Sequence, residues 1–250
     1  MRTVWALVAM MALAACSPGE QASATPDKSD AKANAPLPED RLPEDSGPDA
    51  ANRFLTSLTN PPQAGPWHPR DACIDQPGAL EFREQLAAAV IARDTDALEA
   101  LSAKDIVLDF GGGSGVGELK KRLGQADSGL WTALANLLPL GCAAGADGSL
   151  TMPWYFAQDI PLDDPYFGMM VKGVNVPVRA APTADAKVIE TISWDAIEVQ
   201  SDPAAFAKVK LHDGRNGYIE AAKLRAIIDY RLIAERKDGA WKLTAFVAGD

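Results

Sequence analysis

The side chains that could do chemistry are few and far apart. The chain has two histidines, His68 and His212. In "WHPRDAC", His68 stands five residues before Cys73, which raises a thiol–imidazole nucleophile. His212 lies far along the chain, in "LHDGRNG", a stretch that reads as a hairpin turn. No HExxH pattern offers a zinc set, and no GxSxG pattern offers a serine nucleophile. "DIPLDDPYFG" (159–168) gathers Asp159, Asp163 and Asp164 but lacks the alternating ligands and glycine of a calcium loop. The glycine run "GGGSGVGELKK" follows an extended stretch and precedes a helical one, the setting of a phosphate loop. Gly112 and Gly117 have the first Walker spacing, yet Glu118 stands where lysine is needed and would repel a phosphate. Gly113 and Gly115 lack the third glycine of a dinucleotide fingerprint. The run reads as a turn with positive-φ positions. The expectation is a protein with no catalytic residue, no metal site and no cofactor.

The remaining cysteine is Cys16, at the end of "LVAMMALAACSPGE" (7–20). The apolar run Val4 to Ala15 is 12 residues long. As a helix it spans about 18 Å, while a bilayer core takes roughly 20 apolar residues. With Arg2 before it and small residues at its end, it reads as a secretory signal. Leu13-Ala14-Ala15-Cys16 resembles the lipobox of bacterial lipoproteins. That resemblance implies cleavage before Cys16, acylation of its thiol and anchoring to a membrane. Ser17 in place of aspartate implies the outer membrane, with the protein facing the periplasm. Cys73 and Cys142 are then an even pair in an oxidising compartment, read as a disulfide, with two buried free thiols as the alternative.

Residues 17–50 hold six prolines, eight acidic and three basic residues and no aromatic. Such a stretch cannot bury enough apolar surface to fold and reads as a tether. The net charge of −10 and the lack of a basic stripe argue against nucleic acid as a partner. The organisation expected from the 250 residues is a signal peptide at 1–15, a disordered tether at 16–66 and a helical α+β domain at 67–168. A small all-β unit follows at 169–226, then a C-terminal hairpin at 227–250.

The elements that must position these residues follow from periodicity. "GALEFREQLAAAVIARDTDALEALSAKD" (78–105) is helical, with Leu80, Leu86, Val90 and Ile91 near one face. Asp94 or Thr95 caps a second helix that carries Leu98 and Leu101. "DIVLDF" (105–110) alternates as a strand, and 117–124 and 128–141 read as helices. "SLTMPWYFA" (149–157) reads as an extended segment demoted by Pro153.

From residue 169 the pattern changes to five or six short extended runs parted by turn residues, a small barrel or sandwich. "VNVPVRAAPT", "KVIETI" and "DGRNGYIEAAKL" resemble the bacterial SH3 domain over about 171–225. Arg179, Ala180, Ala181 and Pro182 match its Arg-x-x-Pro core. Trp194-Asp195 stands where that family usually has Gly-Asp, and Pro177 interrupts the opening strand. The resemblance implies a non-catalytic module that in some cases binds peptidoglycan or peptide. Trp194, Asp195 and Tyr218 are the candidate ligand residues: an exposed indole to stack on a sugar or peptide, a carboxylate to take an amine. The alternative places Trp194 over one end of the barrel and Tyr218 in its core.

"YRLIAER" and "WKLTAFV" flank Asp238-Gly239 as a hairpin, with Leu232, Ala234, Trp241, Leu243 and Ala245 as its buried face. The hairpin and "RDTDALEAL…DIVLDF" resemble the end and the beginning of the nuclear-transport-factor-like cone fold. A lone hairpin is marginal in water, so it is expected to complete the sheet begun by 105–110, leaving the small barrel inserted in one α+β domain. The function expected is a lipid-anchored, non-catalytic envelope protein that contacts peptidoglycan or another envelope protein. The alternative is an enzyme or small-molecule binder with a pocket near Asp105 or Asp109.

Overall fold

The computed structural model describes residues 64–200 and 204–249. Cys16, the signal and the stretch up to residue 63 lie outside the described residues. Helices and sheets are both present, and the fold is α+β.

Helix α1 (Ala79–Ala92) buries Phe82, Leu86 and Val90 at i, i+4 and i+8, with Ala79 and Arg83 beside them. Leu80 falls off this stripe and is exposed, contrary to its expected place on the inner face. Arg93 ends the helix at φ 50. The Asp94 carboxylate then accepts the Ala97 N–H and caps α2 (Thr95–Ala100). Strand β1 (Ser102–Val107) follows at once, three residues earlier than the alternation at 105–110 suggests. Pairing starts early because the Leu243 N–H donates to the Leu101 carbonyl. Helices α3 (Val116–Leu123) and α4 (Leu130–Leu137) close the helical layer.

Two short strands, β2 (Ala143–Ala144) and β3 (Leu150–Met152), precede a 3-10 turn at Trp154–Ala157. The long strands β11 (Arg231–Lys237) and β12 (Ala240–Val247) form the terminal hairpin, joined by Asp238-Gly239, both at positive φ. The sheet order is β1-β12-β11-β3-β2, with β1 parallel to β12 and the other pairs antiparallel. The hairpin thus supplies the two inner strands of a sheet whose other strands precede residue 153.

Trp241, Leu243, Leu232 and Ala234 are buried in this sheet's core, whereas Ala245 is only half-buried. A register shift explains the difference. Ala234 pairs with Leu243 but Ile233 pairs with Ala245, so Thr244 is an extra residue. The bulge moves the inward set from odd to even positions, and Phe246 takes the place expected of Ala245.

Between these segments runs a second sheet: β4 (Gly168–Val171), β5 (Val176–Arg179), β6 (Val188–Ile192), β7 (Ala196–Val199), β8 (Phe206–Lys210), β9 (Asn216–Glu220) and β10 (Leu224–Ala226). Its order is β10-β4-β7-β8-β9-β5-β6. The seventh strand, β10, pairs with β4 beyond the point, about Leu224, where the sequence pattern ends the unit. Leu224 from one edge and Ile192 from the other share one apolar cluster, so the sheet curls round its core. Its two edge strands, β10 and β6, are not paired with each other.

A third apolar cluster is drawn from both sheets. Leu140, Ala143, Trp154 and Tyr155 come from the first body, and Met170, Trp194, Ala196 and Ile227 from the second.

Candidate functional site at the seam of the two sheets

The segment that leads into the first body runs along this seam. At its far end Cys73 and Cys142 are bonded, both fully buried, with S–S 1.94 Å and Cα–Cα 5.6 Å. The Ala72 N–H donates to the Cys142 carbonyl at 2.8 Å and the Cys142 N–H to the Arg70 carbonyl at 2.9 Å. Gly141, at φ +81, permits this approach, because a Cβ there would fall 2.2 Å from the Arg70 oxygen. Arg83 of α1 reaches the same place and bonds Asp71 Oδ1 at 2.6 Å, with only 2% and 8% of the two side chains exposed. The Cys73 N–H donates to that carboxylate oxygen as well. A disulfide, a buried ion pair and a two-bond bridge therefore fix residues 70–73 to the helical body. The sequence showed the cysteines, but the Arg83–Asp71 pair depends on a fold that brings α1 to this segment.

The near end of the segment crosses the second sheet. The Trp67 N–H donates to the Trp194 carbonyl at 2.9 Å, and the Trp67 side chain packs on the third cluster. Gly65 lies against Ser193 so closely that a Cβ would fall 1.8 Å from its carbonyl oxygen. His68 Nδ1–H donates to the Gly65 carbonyl at 2.8 Å, which fixes the turn between them. Arg70 stacks over the Trp154 ring at 4.5 Å.

Trp194 is 8% exposed, so its indole is not an open platform. The exposed stacking face expected of it is covered in this structure, because the seam and the segment at 65–67 close over it. Its backbone sits at φ 37, in the left-handed region where glycine is favoured. Here a tryptophan accepts the strained backbone and fills the space between the sheets.

Asp195 is half-buried. Its Oδ1 accepts the Ala196 N–H at 2.8 Å, and its Oδ2 lies 3.0 Å from Nε2 of the exposed His212. Tyr218 is half-buried on β9, opposite Lys208 and beside Arg179, with Gly217 and Ile219 facing the core. Asp195 meets His212 in the turn that follows β8, whereas Tyr218 pairs with Lys208 within β8. The structure therefore brings Asp195 to His212, not to Tyr218. Sequence reasoning set His212 aside as a turn residue, and only the pairing of β7 with β8 shows what it faces.

The seam carries one further polar set. Buried Arg225 of β10 donates from Nε to the Tyr155 hydroxyl at 3.0 Å and pairs with Asp229 at 3.0 Å. Burial raises the Tyr155 phenol, so it remains protonated. Arg231 lies over Phe156 at 4.3 Å and over Phe110 at 5.5 Å.

The glycine run is occupied from within. Asp109 Oδ1 accepts the N–H groups of Gly111 and Gly113, each at 2.8 Å, and Oδ2 takes Arg122 at 2.5 Å. Glu118, where a Walker lysine would stand, holds Arg122 Nε at 2.9 Å. The backbone nest that could cradle a phosphate thus holds the chain's own carboxylate. Arg122 and then the Gly113 N–H hold the Asp109 carboxyl below its ordinary range. Asp105 is exposed on β1. A shallow cavity of about 450 Å³ lies between α1 and α2, lined by Gln85, Ala88, Ala92, Asp94, Ala97 and Leu101, and touches neither aspartate. In "DIPLDDPYFG", the N–H groups of Asp163 and Asp164 both donate to Glu198.

Among the described residues, no group of three or more His, Cys, Asp or Glu side chains is placed to hold a metal ion. No helix among them is long and apolar enough to cross a membrane. Comparison with protein families finds none that matches the chain, and comparison with curated proteins finds no match either.

Proposed function

We propose that the chain is an exported lipoprotein, acylated at Cys16 and held at the outer membrane, whose folded part is a non-catalytic module contacting peptidoglycan or another envelope protein. The observation that carries the export reading is the buried Cys73–Cys142 bond, since disulfides persist where thiols are oxidised. The non-catalytic reading draws support from the commitment of its buried or clustered carboxylates: Asp71 is tied to Arg83 and Asp109 to Arg122. The curled sheet at 168–226 is read as a bacterial SH3-like barrel inserted in one α+β domain, because strands on both sides of it in sequence pair into a single sheet. Asp195 beside Trp194 is read as the ligand face of that barrel, and Tyr218, opposite Lys208 on β9, stands apart from it. Crosslinking in the intact envelope tests the module: it should capture wall fragments or one envelope partner, and capture of neither would reject the reading. Cys16→Ser tests the anchor, which requires that lipid labelling be lost.

A further inference from the structure

The segment 64–73 is fastened unequally. Its far end, Arg70 to Cys73, is held by the disulfide, the two-bond bridge to Cys142 and the buried Arg83–Asp71 pair. The fastenings of its near end to the second sheet are weaker: the Trp67 N–H bond to Trp194, the packing of a half-buried indole and the close seating of Gly65 on Ser193. Two further bonds of the near end are internal, His68 to Gly65 and Arg70 to Pro66. Local opening follows such asymmetry, because a segment with few buried contacts opens at a fraction of the global unfolding cost. The residue that the near end lies across is Trp194, held at φ 37 beside the half-buried Asp195. Strained backbone kept in place by its surroundings is a recurring mark of ligand clamps.

We propose that Gly65–Trp67 is a strap, hinged at Arg70–Cys73, that covers Trp194, and that its release opens the Trp194–Asp195 face to a sugar or peptide of the wall. This rests on the reading of that face as a ligand site. The strap and the ligand then compete for the same surface, and binding favours the released state by its differential affinity.

Hydroxyl-radical footprinting read by mass spectrometry tests this on the full chain, since it reports each indole separately. Two variants lift the strap by different routes. Trp67→Ala removes its packing, and Gly65→Ala forces a Cβ into the Ser193 carbonyl while leaving every aromatic in place. Both should raise labelling of Trp194 severalfold and leave Trp131 and Trp241 as in the parent protein. Unchanged labelling of Trp194 in both variants would overturn the proposal. An equal rise at Trp131 and Trp241 would overturn the hinge, because the strap would then be inseparable from the first body. The same variants are sedimented with isolated peptidoglycan sacculi. More protein should pellet than with the parent, and adding Trp194→Ala should abolish the gain. If Trp194 is uncovered and no protein pellets, the strap stands as a cover and the wall-ligand reading fails.

Discussion

At the scale of the residue, Trp194 shows two costs of opposite sign. A bulky side chain in the left-handed region is strained by about 1–2 kcal/mol. Removing a buried indole costs about 3–5 kcal/mol. Trp194→Gly relieves the first and incurs the second, so a net loss of about 1–4 kcal/mol is expected by chemical denaturation. A gain in stability would show that the seam does not depend on the indole. Asp109 gives a pH signature instead. Its carboxyl is held below the ordinary 3.8 by Arg122 and the glycine N–H groups. A group whose folded pKa is depressed adds stability above its unfolded pKa and loses it as pH falls through the folded value. Asp109→Asn should therefore be less stable than the parent at pH 7, with the difference closing below pH 3.8. A gap that does not narrow at all as pH falls below 3.8 would mean that the ionised carboxylate is not what matters.

Among the elements, the bridge between residues 70–72 and Cys142 turns on one glycine. Gly141→Ala places a Cβ against the Arg70 carbonyl and forces a non-glycine residue to φ +81. The expected cost is about 2–4 kcal/mol, the range for backbone strain added to a broken buried contact. Slower oxidation of the Cys73–Cys142 pair on refolding should accompany it. A fully native melting temperature would show that the bridge is dispensable. The sequence was informative about such local features. Asp94 caps α2 as its position suggests, Asp238-Gly239 turns the hairpin, and the two cysteines meet. It was less informative where tertiary contact overrides pattern. Strand β1 starts at Ser102 because β12 pairs with it there. Ala245 faces outward because a bulge at Thr244 inverts the alternation, and single-sequence periodicity carries no sign of a bulge. For Trp194 the sequence leaves open an exposed ligand residue or a cover over one end of the small barrel, because Leu140, Trp154 and Tyr155, which cluster with it, lie far off in the chain.

Across the whole molecule, the inner strands of the first sheet are its last in sequence. Truncation after Leu224 removes β11 and β12, and with them the pairing of both β1 and β3. The helical body should lose cooperative unfolding, while the sheet at 168–226, which loses Arg225 and Ala226 of its edge strand β10 but keeps its other six strands, retains a melting transition. If a fragment 67–165 instead folds alone with a native-like melt, the first sheet does not need the hairpin. That arrangement was legible from the need to bury the hairpin's face. The third cluster was not, because its members are scattered from Leu140 to Ile227 and share no local period.

The parallel pairing of β1 with β12 also orders events in time. A chain made from its N-terminus carries Cys73, α1 and β1 long before β12 exists. Until Val247 has emerged, β1 has no strand beside it and the Trp241 and Phe246 side chains are missing from the core. The helical body is therefore the last part to form, although it is the first to be synthesised. The strands of the second sheet are all made by Ala226, while the earlier segment still lacks its centre. A protein built this way cannot complete its first core until its synthesis is almost finished.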